Sequence, residues 1–139
     1  MKAKWKLILS ISVVLMLISG VFIFYNTQKL KCSVDPLQVS EIDIFNGNTG
    51  KKYKITDQAN IEHMVNNLNS ITFVKNKSSK GYSGFSFATQ IKDKSGATTF
   101  QCTINSKNTI IYHNYFYIDY TSSIDFDYID KLLKVTTPL

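Results

Sequence analysis

The chain contains no arginine, two cysteines, two prolines, two histidines and one tryptophan among 139 residues. Each scarcity excludes something. Without arginine there is no guanidinium fork for bidentate reading of a phosphate or a base edge, so the net charge of +6 does not point to nucleic acid. Five of the 16 lysines flank one apolar segment, and from Cys32 onward 11 lysines stand against 10 acidic residues, so the folded part is nearly neutral. No nucleic-acid partner is expected. Two cysteines and two histidines suffice by count for a metal, but no two of them form the close doublet from which a zinc site starts. Glycine is also sparse. Gly81-Tyr82-Ser83-Gly84 has neither the spacing of a nucleophile elbow nor a following Lys-Ser/Thr pair, so neither that motif nor a phosphate loop is present. No cofactor, metal or catalytic constellation is expected, and the chain reads as noncatalytic.

What the chain has in abundance is one long uncharged run. Leu7 to Tyr25 is 19 residues without a charge, behind Lys2, Lys4 and Lys6. At about 1.5 Å per residue such a helix spans roughly 28 Å, close to the hydrocarbon thickness of a bilayer. A transmembrane helix over 7–25 is therefore expected, with the lipid bilayer as its partner. Three lysines and the amino terminus precede it and Lys29 and Lys31 follow, which favours residues 1–6 as a cytoplasmic tail and the remainder outside. Trp5 and Tyr25 stand at the two edges, where amphipathic rings prefer the headgroups. A cleaved export signal is the competing reading, with Ile18-Ser19-Gly20 as its small-residue site, but four strongly apolar residues follow that site. Lipid attachment at Cys32 is rejected, because Lys29-Leu30-Lys31 precedes it.

Residues 26–38 are polar, broken by Asp35-Pro36, and read as a linker. The domain expected from 39 to 139 is large enough for one core. Val39 to Phe45 alternates, with Ile42 and Ile44 against Glu41 and Asp43, and Lys51 to Ile55 repeats the pattern after a glycine-rich turn, which predicts a β-hairpin. Asp57 is an N-cap for a helix over 58–69, whose Ile61, Met64, Val65 and Leu68 fall on one face. Strands follow at 71–74, 85–92, 98–104, 109–113 and 115–120. Phe85, Phe87 and Ile91 are expected on one face, and Phe100, Cys102 and Ile104 likewise. A short final helix is expected with Ser123 as its cap. The fold class is thus α+β, an antiparallel sheet of six to seven strands with one long and one short helix.

Three features are candidates for function. Ile110 to Tyr120 holds four tyrosines and one phenylalanine, and if Phe116, Ile118 and Tyr120 turn inward then Tyr115 and Tyr117 form, with Tyr112, an exposed aromatic row. Core or edge packing is the commoner role of such tyrosines in a strand. Lys75 to Gly84 lacks periodicity and carries Lys75, Lys77, Lys80 and Tyr82, a loop able to attract an anionic protein face or envelope polymer, or simply a solvated connection. Cys32 and Cys102 either form a disulfide closing a 71-residue loop or stay as two separate thiols. Asp125, Asp127 and Asp130 cluster, but the first two suit the positive end of a helix and lack the glycine of a Ca²⁺ loop.

A basic anchor, a hairpin, the Ile55-Thr56-Asp57 helix start and a tyrosine-rich β meander together resemble small membrane-anchored or exported proteins of low-GC Gram-positive bacteria. The resemblance implies an extracytoplasmic α+β domain and carries no site residues. Expected roles are a protein- or envelope-binding module, a surface inhibitor, immunity or sensor accessory protein, or a small enzyme.

Overall fold

The computed structural model describes every residue except Met1, Phe85 and Ser122, the side chains of residues 2–9 and 25–27 lying outside the description as well. Among the described residues the chain is α+β, with three helices and an eight-stranded antiparallel half-barrel sheet. In chain order come α1 (Lys2–Thr27), β1 (Lys29–Lys31), a 3₁₀ turn (Pro36–Gln38), β2 (Val39–Asn46), β3 (Lys51–Ile55) and α2 (Gln58–Ser70). Then follow β4 (Thr72–Ser78), β5 (Phe87–Asp93), β6 (Thr98–Ser106), β7 (Thr109–Tyr112), β8 (Tyr115–Ile118) and α3 (Phe126–Val135). The sheet order is β1-β4-β8-β7-β6-β5-β2-β3.

Strand register explains the core. Ile44 pairs with Tyr53 and Thr89, Thr89 with Cys102, Ile104 with Ile110 and Ile110 with Tyr117, so one face carries these side chains across six strands. That face is concave and buried, closed by Ile61, Met64, Val65 and Leu68 of α2 and Ile129 and Leu133 of α3. Asp57 caps α2 as its spacing predicts, its carboxylate accepting from Asn60 N at 3.0 Å.

Several expectations change. The expected linker contains β1, which pairs with β4 through Leu30 and Phe73, and it buries Cys32 completely. Asp35 caps the 3₁₀ turn, and Asn69 holds Val34 by two hydrogen bonds, so this stretch belongs to the domain. Ser123 does not cap the last helix. Its amide donates to Asp119 Oδ2 at 2.6 Å and its hydroxyl pairs with Thr121, while Asp125 accepts from Tyr128 N and takes the cap. The expected loop from Lys75 begins as strand, because β4 continues to Ser78 along β8. Phe85, expected in a strand, lies outside the described residues.

The backbone is helical throughout Lys2–Thr27, but among the described residues no helix is long and apolar enough to cross a membrane. Both ends of the 7–25 run fall among side chains outside the description.

Candidate binding surface

The β4–β8 pairing gathers the lysines and tyrosines singled out in the sequence. Ser78 pairs with Tyr115 and Lys75 with Tyr117. Lys75 Nζ lies 3.8 Å from the centroid of the Tyr115 ring, and Lys77 Nζ lies 5.9 Å from that of Phe116. Tyr82 meets Phe116 edge to face at 5.1 Å and accepts a hydrogen bond from Asn105 Nδ2 at 3.1 Å. Tyr82 is half exposed and Tyr115 is 39% exposed, so a cationic and aromatic patch reaches solvent. Lys80 belongs to the adjoining turn, where its amide donates to Ser78 Oγ.

The facing of the aromatic row is the reverse of the alternation expected. Tyr117 is buried, Phe116 and Ile118 are half-buried, and Tyr120 is 75% exposed. The cause is the two-residue turn at His113 and Asn114, both at positive φ (46° and 66°), which sets Tyr112 opposite Tyr115 and Tyr117 opposite buried Ile110. Tyr117 therefore joins the core, with Tyr112 edge-on at 6.0 Å, and burial pushes its phenol up. Tyr115 remains as the exposed member of the row.

Cys32 and Cys102 are free thiols, both buried in the one core. Burial pushes Cys32 up to about 11 and Cys102 up to about 12, the proximity of Cys32 adding to the second shift.

Three further features escaped the sequence reading. On the convex face Lys92 bridges Glu41 (2.9 Å) and Asp43 (2.5 Å), and Glu41 also binds Lys54 at 2.8 Å. The Lys54 and Lys92 hydrogen bonds hold the Glu41 carboxyl below its ordinary range. Beside this network lies a groove of about 380 Å³ over Ala88, between Phe45, Lys52 and Gln101, and Asp43 Oδ1 is buried there without a hydrogen-bond partner. Secondly, His63 Nε2 and Asp125 Oδ2 lie 2.9 Å apart, with the His63 ring stacked on Tyr128 at 3.8 Å. The space beside this pair is about 10 Å³, room for a water and not for a substrate. Thirdly, a notch of about 650 Å³ opens between β6 and the β7–β8 turn. Among the described residues no group of three or more His, Cys, Asp or Glu side chains could hold a metal ion. His63 was legible only as a polar helix position, because its partner is 62 residues away.

No family model, curated protein or solved structure matches this chain, and its functional reading rests on its own residues.

Proposed function

We propose that this chain is a noncatalytic binding module held at the outer surface of a membrane by residues 7–25. One observation carries the reading: the large apolar side chains between Ile11 and Phe24 are 49–73% exposed on a helix that is apolar all round. Such a surface needs lipid or protein to cover it, and 19 uncharged residues behind three lysines match a bilayer crossing in length and in charge order. On this reading the half-barrel domain lies outside the cell, as the excess of lysines before the run favours. Its contact surface is the patch of Lys75, Lys77, Tyr82 and Tyr115, whose cations and ring edges suit an anionic protein face or envelope polymer.

The test uses the full chain with a carboxy-terminal epitope, expressed in a Gram-positive host. The expected result is retention in membranes after an alkaline wash and loss of the epitope when intact cells meet protease. Recovery from the cytosol, or a mature chain beginning beyond residue 25, overturns the anchor. Crosslinking before solubilisation, followed by pull-down, tests the second half: a partner captured by the native chain and lost with Tyr115→Ala supports the surface, and equal capture by both overturns it.

A further inference from the structure

Among the described residues β1 and β3 are the outermost strands of the curled sheet, and both carry protection against pairing with another chain. β1 is only three residues long and holds Lys29 and Lys31. β3 carries Lys51, Lys52 and Lys54, and its Lys52 carbonyl already accepts the amide of Leu139 at 2.8 Å. Short length, lysines and a covering segment are the usual means by which an edge avoids strand addition.

A stretch of β6 inside the sheet order lacks such protection. β7 pairs with β6 only through Thr109, Ile110 and Ile111, against Ser106, Ile104 and Thr103. The chain then turns back at His113 and Asn114, so Thr98 to Cys102 have a ladder with β5 on one side and, among the described residues, none on the other. These five residues, Thr98-Thr99-Phe100-Gln101-Cys102, include no charge and no proline. The notch of about 650 Å³ lies along them, within the size range of a ligand site, and its lining holds no Lys, Arg, Asp or Glu. Phe100 stacks on Tyr112 at 5.6 Å and Tyr112 on His113 at 4.1 Å, an aromatic shelf at the same place.

We propose that the Thr98–Cys102 edge of β6 receives an extended, uncharged strand of a partner protein, which continues the sheet where β7 stops. Alternate residues of such an edge turn their amide and carbonyl outward, about 6.8 Å apart at about 3.4 Å per residue, and the complement of that row is another strand, of which five residues offer about 17 Å. The lining offers no Lys, Arg, Asp or Glu as an ion-pair partner, and burying a charged side chain is costly, which favours an uncharged segment. Phe100 and Tyr112 supply the apolar contact for alternate side chains of the incoming strand. This site is independent of the Lys75–Tyr115 patch and of the membrane anchor.

The probe is a phage-displayed library of random nine-residue peptides, selected on the full chain in detergent micelles. The expected result is enrichment of uncharged sequences rich in β-branched and aromatic residues. A synthetic peptide of the winning sequence then slows amide hydrogen exchange within residues 98–102. Gln101→Lys, at an exposed position, and Tyr112→Ala each weaken its binding about tenfold or more while the melting temperature of Gln101→Lys stays within a few degrees of the native value. No enrichment, or protection confined to residues 29–31 or 51–55, overturns the proposal. A dimer in sedimentation, with the 98–102 amides already protected, also overturns it by assigning the edge to a second copy.

Discussion

Lys75 Nζ sits 3.8 Å above the ring of Tyr115, a contact between a strand lysine and a tyrosine at the tip of the β7–β8 hairpin. The pair is partly exposed, where a cation–π contact is worth about 0.5–1 kcal/mol. Tyr115→Ala and Lys75→Ala should each lower stability by about 1 kcal/mol or less in urea titration. Their effect on partner capture should be far larger, and equal losses of stability and capture would mark the pair as structural only.

Asp125 joins two helices. It caps α3 through Tyr128 N at 3.3 Å and meets His63 of α2 at 2.9 Å. Asp125→Ala removes both and should cost about 1–2 kcal/mol, while Asp125→Asn keeps the capping oxygen and should cost less. Thermal unfolding of the two variants side by side checks the order.

Acid should unfold the domain through particular carboxylates. Asp119 is buried; burial alone raises its carboxyl, but hydrogen bonds from Thr121 and Ser123 outweigh this and leave it below the ordinary value. Glu41 is lowered as well, by Lys54 and Lys92. A carboxyl lowered in the folded state binds its proton more readily when unfolded, so its contribution is complete above about pH 4–5 and is lost as pH falls through the folded value. Stability measured between pH 7 and pH 2 should therefore decline from about pH 5 downward. Asp119→Asn should flatten part of that decline, and an unchanged slope would remove Asp119 from the explanation.

The thiols should be inert while the fold holds. With Cys32 near 11 and Cys102 near 12, almost no thiolate exists at pH 7.5, and both sulfurs are covered. Iodoacetamide should leave the native chain unmodified over minutes that suffice to label it in guanidinium, where mass spectrometry should count two adducts without added reductant. No adducts in guanidinium would show the two cysteines bridged.

Much of the scaffold can be read from periodicity. Asp57 with Ile61, Met64, Val65 and Leu68 specifies α2, and Ile42, Ile44, Tyr53 and Ile55 specify the first hairpin, because one face of each element is apolar and the other is not. The tyrosine segment defeats the same logic. Ile110 to Ile118 is apolar or aromatic on both faces, so only the position of the turn decides which residues enter the core, and His113-Asn114 is not a common pair for a turn with two positive φ values. Ser123 fails as a cap because the turn before the helix holds it, its amide on Asp119 and its hydroxyl beside Thr121, and the helix starts only at Phe126. The notch beside β6 is likewise a product of unequal strand lengths, nine residues in β6 against four in β7, which local pattern does not express.

A single residue, Gln28, separates α1 from β1, and its carbonyl accepts the amide of Lys75 at 2.6 Å. A body grafted onto its stalk with so little slack cannot sweep through the space above it as one on a long tether would. If the stalk stands in lipid, the half-barrel keeps a set attitude close to the headgroups, and whatever docks there must itself come down to the bilayer.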